Sequence, residues 1–436
     1  MFRKITVGLV AMLTIVAPFS ALAAESPKPA APEVLTLDQC LDMAFKNNQQ
    51  LKVAAKNVDI TKEAVKEAEA AFWPAVNYKV DQSYSSTEQY KFDNKYRDSQ
   101  VTGGVSGTLP LYSGGSLEKK LKLAQINLES AKESERSAKQ QLTFSVKQAY
   151  YNVWLTDQSL KVAQSSYDNM DKHFQRIETL YKVGTASKFD LLRAEVQRDK
   201  IKPDVISAQN KVVLAKLQLA TAIGFPKEKQ FAIDFDATKM EMPESVKYSL
   251  QVLLETAYRD RVDFHQIHQL AESKKLQTEL TQIGVNRPSV DLTAAYGATA
   301  KDISLGSYSG AYTLTLEVKG NIFNKANKSK VEQAKGNEEL VAIQEADLKD
   351  KVRLEVEQSI QSLSESIEIT RANQASIDLG KESLRLTQAR FEAGMATTMD
   401  IMDAQLALDQ ALNGYYQGIV GYLTAEAKID LVTGKN

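Results

Sequence analysis

Asp400 and Asp403 stand three residues apart at the start of the last helical stretch, a spacing that sets both carboxylates on one face. Two acids so placed can complement the positive end of the helix, or can act together on cations. The matching position earlier in the chain, Asp190, has Arg193 as its i+3 neighbour, so that copy reads as self-neutralised. His265 and His268 share a helical face but have no third ligand nearby, and they read as surface histidines rather than a metal site. Cys40, the single cysteine, falls on the apolar side of an amphipathic stretch and reads as a small core residue. No Ser/His/Asp spacing, phosphate loop or paired-carboxylate cleft is present, so the chain offers no candidate for catalysis, and neither a cofactor nor a metal is expected. With 54 Lys and Arg against 55 Asp and Glu, no basic field recruits nucleic acid.

The elements that position these residues come in two tandem copies. Gly184 and Gly394, Ala186 and Ala396, Asp190 and Asp400, Ala194 and Ala404 match at one constant offset. Each copy is a tight helix-to-helix reversal: a glycine free to take positive φ, a Ser/Thr at the cap, an Asp in the next first turn. Between Leu117 and Lys182 there is neither proline nor glycine, which predicts a rod on the order of 100 Å. Corresponding helices are expected over 36–73, continuing from 113 to 226 with a kink or bulge at Pro203, and over 249–287 and 324–432, with 227–248 as the link. Arg3 and Lys4, the apolar run Ile5 to Phe19 and Ala21-Leu22-Ala23 form a signal peptide over 1–23. Residues 24–35 read as a flexible or PPII-like leader and 433–436 as a tail.

Twice in each half the period switches to two. Pro74 ends the first helix, and Val76, Tyr78, Val80 and Tyr84 then alternate with Asn77, Lys79, Asp81 and Ser83. A polar loop over Ser85 to Asp98 leads to Val101, Gly103, Val105, Gly107 and Leu109, and Pro110 closes the hairpin of 74–112. Pro288 opens the second hairpin, 288–323, where Leu292, Ala294 and Tyr296 precede a loop and then Tyr312, Leu314, Leu316 and Val318. Runs of about ten residues with one greasy and one wet face have the length of tilted membrane strands. An open edge cannot persist in lipid, and four strands cannot close alone. Three copies supply twelve strands and a polar lumen, for which Thr102, Thr313 and Glu317 are suited.

The two proline breaks, the Leu109-Pro-Leu-Tyr-Ser-Gly-Gly115 strand exit, the tandem repeat and the paired Gly…Asp reversals together resemble the TolC-like outer membrane efflux proteins, over essentially all of the mature sequence. The fold class is then α+β, mainly α: a long-helix α-barrel continuous with a transmembrane β-barrel, four strands per chain and twelve in a homotrimer. The resemblance implies residence in the outer membrane of a Gram-negative bacterium, in contact with its lipid and reaching into the periplasm. It implies the exit duct of a tripartite efflux or type I secretion system, opened by a periplasmic adaptor and energised by an inner-membrane transporter. Asp400 and Asp403 fall on the family's acidic ring at the periplasmic mouth, six carboxylates in a trimer, as gate and selectivity filter. The reversals Val183-Gly184-Thr185-Ala186-Ser187 and Ala393-Gly394-Met395-Ala396 would then dock adaptor hairpins. Two departures stand out. Gly320-Asn-Ile-Phe323 lacks the second proline, leaving a looser rim, and Met395-Ala396 supplies no basic residue for a charged lock. The rival readings are a periplasmic coiled-coil adaptor without a pore and an exported hydrolase.

Overall fold

A computed structural model describes residues 33–89, 94–226, 230–301 and 308–435. The signal peptide, most of the leader and the tips of both hairpins lie outside the described residues. Among those described, β1 (Glu33–Leu35), α1 (Leu37–Asn47) and α2 (Gln49–Ala70) lead into β2 (Ala75–Gln89) and β3 (Asn94–Tyr112). Then come α3 (Ser116–Lys182), α4 (Lys188–Ile223), β4 (Phe231–Ile233), α5 (Leu250–Asp260) and α6 (Val262–Asn286). The chain finishes with β5 (Ser289–Ala300), β6 (Tyr308–Lys319), α7 (Lys325–Glu392) and α8 (Thr398–Val432).

The two rods are continuous over 67 and 68 residues, each about 100 Å at helical rise. Glycine and proline are absent from α3, and α7 tolerates Gly336 and Gly380 because its neighbours hold it. Near the sheet, α3 packs on α2 and α6, and α6 on α7; further down, α3 packs on α4 and α8, and α8 on α7. Each level of this wall is therefore four helices wide. Among the described residues, three apolar clusters hold it. One centres on Tyr150, Trp154 and Leu219, one on Val352, Val356 and Ile429, and one on Met170, Ile401 and Leu408. Cys40 is wholly buried in the first, where burial pushes its thiol up to about 11.

The sheet runs β2-β3-β5-β6, antiparallel throughout. Its register lines Tyr78, Val105, Tyr296 and Tyr312 across one face, and Asn77, Ser106, Ala295 and Thr313 across the other. Among the described residues both faces are exposed over 75–85 of β2 and along β6, and Tyr312 is 87% exposed. The outer edges of β2 and β6 have no strand partner among the described residues. None of the described helices is long and apolar enough to cross a membrane.

Several expectations need correction. The helix read as unbroken from Thr36 is cut at Asn48, whose side chain accepts from the backbone N–H of Gln50 and Leu51 at 2.9 and 3.2 Å and donates to the carbonyl of Ala222. Such an amide caps a new helix more cheaply than it continues an old one. Its counterpart from Leu250 is cut at Arg261 in extended conformation. Part of the expected polar loop is strand, because the ladder continues to Gln89 opposite Asn94 on backbone bonds that need no apolar side chain. The end of the leader is also strand: β1 pairs in parallel with β4, and the Tyr150 hydroxyl lies 3.2 Å from the Leu35 carbonyl and 3.0 Å from that of Asp234. The helix expected to run on through Pro203 does so, and α4 carries that proline inside it. Thr433, in the expected tail, is fully buried, and Gln140 Nε2 donates to the Gly434 carbonyl at 2.8 Å.

Candidate functional site: the helix reversals and the cleft above them

Gly184 and Gly394 take φ of +80° and +73°, the left-handed conformation that lets a helix end and turn back. Each reversal is closed by a backbone bond spanning five residues, Thr185 N to Leu180 O at 2.9 Å and Met395 N to Arg390 O at 2.8 Å. The returning helices open with capping boxes. Asp400 Oδ2 accepts from Thr397 N at 2.6 Å and from its hydroxyl at 2.9 Å, while Thr397 Oγ1 accepts from Asp400 N. These bonds, with Arg390 nearby, hold the Asp400 carboxyl below the usual carboxylate range. Asp190 forms the same capping box with Ser187, accepting its hydroxyl at 2.6 Å. Ser187 rather than Arg193 is therefore its partner, because the cap geometry is local and the arginine side chain must reach back over a turn.

Asp400 and Asp403 line one shallow groove of about 390 Å³ with Ser383, Thr387 and Arg390 from α7. Asp403 also borders a larger cleft of about 600 Å³, bounded by α4 and α8 over a floor of α3. Val162, Met170, Ile201 and Leu406 give it apolar surface; Gln197, Gln410 and Asn413 give it amides. Within it, Asp409 Oδ1 accepts from Gln405 Nε2 at 2.8 Å, and burial pushes its carboxyl up. The surface beside the reversals thus extends well above Val183–Ser187 and Ala393–Ala396, along α8 from Met402 to Gln417.

Sequence reading missed the groups that tie the second reversal to α3. His173 is buried against it, its Nε2 3.3 Å from the Thr398 hydroxyl and its ring edge-on to Phe391 at 4.8 Å. Burial, and then Arg176, hold the imidazole below its ordinary value. Arg176 pairs with Glu392 at 2.6 Å, and Arg390 Nη2 reaches the Met395 carbonyl at 3.4 Å. The basic groups beside the second reversal thus come from α3 and from the turn before Gly394. A basic last turn on α7 was the available signal; His173 gave none beyond its apolar spacing.

Pro74 and Pro288 sit between helix and strand, each one residue before a strand begins. Pro110 lies within β3 opposite Asp291, and the register slips just after it, since proline lacks the N–H that the ladder needs. His265 Nε2 lies 3.1 Å from the Arg259 carbonyl, and His268 stands 3.8 Å from Glu345. Among the described residues no group of three or more acidic, histidine or cysteine side chains could hold a metal ion.

The family model described as Outer membrane efflux protein matches residues 40–225 and 271–435, and the chain belongs to that family. It is an outer-membrane protein that extends into the periplasm, and its relatives are efflux or secretion channels rather than enzymes. The probable efflux pump outer membrane protein TtgC of Pseudomonas putida is 23% identical over 413 residues, 90% of this chain and 81% of TtgC. The outer membrane protein TolC of Escherichia coli K12 is 25% identical over 214 residues, 47% of this chain, and that match spans only 43% of TolC. Among solved structures, CusC superposes with a TM-score of 0.76 at 16% identity, covering 95% of this chain and 96% of CusC.

Proposed function

We propose that three copies of the chain form a passive exit duct, with the hairpins of 74–112 and 288–323 closing a twelve-stranded barrel in the outer membrane. The helices of 36–73, 113–226, 249–287 and 324–432 continue it as a periplasmic tube, joined by the link 227–248. The observation that carries this reading is the four-stranded sheet: one face apolar, the other polar, two edges unpaired, at the end of rods about 100 Å long. A periplasmic adaptor docks at the reversals and the cleft above them, an inner-membrane transporter supplies the energy, and the mouth opens by separation of the helical hairpins. Asp403, with Asp400 beside it, repeats around the mouth and selects for cations. The two acids divide the work. Asp400 is committed to its cap, whereas Asp403 makes no hydrogen bond through its side chain among the described residues.

Asp403→Asn tests the ring without disturbing the cap. In planar bilayers the variant should conduct with a weaker preference for cations and a weaker response to divalent ions than the native protein. Identical selectivity in the two would remove the ring from the account.

A further inference from the structure

The cleft between α4 and α8 holds acceptors that the chain itself leaves unmet. On its α4 wall Gln197 Oε1 is buried without a hydrogen-bond partner among the described residues. That state is costly unless a donor from outside meets it. From the α8 wall, the Asp409 carboxyl accepts from Gln405 Nε2 at 2.8 Å and from the Ser166 hydroxyl. The Gln405 amide is itself fixed, since its oxygen accepts from Asn169 Nδ2 at 3.0 Å. These bonds leave part of the carboxylate's accepting capacity unused. No basic side chain pairs with Asp409 among the described residues, and burial disfavours its charge. Asp204 and Asp403 stand on the same lining, so the carboxylates outnumber the Lys200 ammonium there. Beneath them Val162 and Met170 make an apolar floor, 6% and 3% exposed, with Ile201 and Leu406 at the sides. The volume of about 600 Å³ is that of a small-molecule site.

From these features we infer that the cleft binds a small organic cation with an apolar body: a protonated amine whose ammonium donates to Asp409 and to Gln197 Oε1, while its apolar part lies over Val162, Met170 and Leu406. The sign of the lining favours a cation over an anion. The apolar floor favours an organic cation over a hydrated metal ion, which would lose water there and gain nothing. A neighbouring copy does not close the site. The exposed apolar residues Ile206, Val213 and Leu217 fall on the far side of α4 from Gln197, Ile201 and Asp204, so a copy packed on them leaves the cleft open. The site stands on the cleft alone and holds whether or not the adaptor docks on the same surface.

The test is equilibrium dialysis of the full-length protein in nonionic detergent, with detergent alone as the blank and monodansylcadaverine as the probe. Dansylamide carries the same ring system without the amine, and cadaverine the same amine without the rings. The native protein should take up monodansylcadaverine saturably and bind each of the other two about tenfold less tightly. Asp409→Asn keeps the shape of the side chain and should weaken binding about tenfold, and Gln197→Leu about fivefold. Should either variant fail to fold, Leu406→Asn, at a position 55% exposed, should still weaken binding about threefold, and the three-ligand comparison on native protein still decides. Dansylamide bound as tightly as monodansylcadaverine would overturn the site, and so would Asp409→Asn binding as the native protein does. Asp403→Asn separates this site from the acidic ring: it should keep most of the amine uptake whatever it does to cation selectivity. Uptake lost in Asp403→Asn and kept in Asp409→Asn would move the amine to the acidic groove and overturn the cleft site.

Discussion

Replacing Gly418 by alanine should weaken the α7–α8 pair, against the general tendency of that substitution in a helix. An added Cβ would collide with the Thr370 hydroxyl and stand 3.0 Å from the Thr370 backbone N and Cα. The hydroxyl could rotate, but it donates to the Ser366 carbonyl at 2.7 Å, and Thr370 is fully buried. The backbone atoms cannot move without shifting α7. Overpacking of this kind costs about 1–3 kcal/mol, and alanine returns up to about 1 kcal/mol of helix propensity. A net loss of about 1–2 kcal/mol corresponds to unfolding roughly five- to thirtyfold faster at a fixed temperature, where the contact is lost in the transition state. Gly336→Ala is the control, since an added Cβ there meets nothing within 4 Å. It should unfold more slowly than the native protein. The assay is loss of helical circular dichroism with time, because unfolding of such a protein is a rate rather than an equilibrium. If Gly418→Ala slows unfolding as Gly336→Ala does, the two helices do not approach as closely as described.

Two further outcomes are expected. His173 is neutral in the folded protein and titrates below its ordinary value of 6.5, so the unfolded chain binds more protons just below that pH. Stability should be fully present above about 6.5 and decline as pH falls through it, and His173→Phe, which keeps the ring against Phe391, should flatten that slope in unfolding rates measured from pH 8 to 5. Arg261→Met should cost about 2–4 kcal/mol: it strands Asp263 and Glu355, bonded at 2.6 and 2.8 Å, and the Val432 carbonyl. The figure is below that for a fully buried pair because the two carboxylates are 39% and 44% exposed. A native-like unfolding rate would show that the node is ornamental to stability.

The long rods and both reversals were legible because their signals are local. A stretch without glycine or proline, then Gly184 or Gly394, then a capping Ser or Thr, needs no distant partner to be read. Alternation likewise exposed the two faces of the sheet. What stayed hidden depends on residues far away in sequence. β1 exists because β4 and the Tyr150 hydroxyl receive it. The break at Arg261 is held by Glu355 and Val432. The tie of His173 to Thr398 joins helices more than two hundred residues apart. At the site itself, the i+3 spacing found Asp400 and Asp403 but suggested equal roles, and only the capping geometry distinguishes them.

The claim that the sheet is completed by identical copies is tested most directly by disulfide cross-linking across its free edges. In a Cys40→Ala background, one cysteine would replace Val76, Tyr78 or Val80 on β2, and a second would replace Leu314, Leu316 or Val318 on β6. Within one chain these strands are separated by two others, roughly 14 Å, beyond the roughly 7 Å that a disulfide can span. The account predicts that a matched pair yields dimer and trimer bands after oxidation, with nothing larger. A chain that remains monomeric with every pair, or that ladders past three, would contradict it.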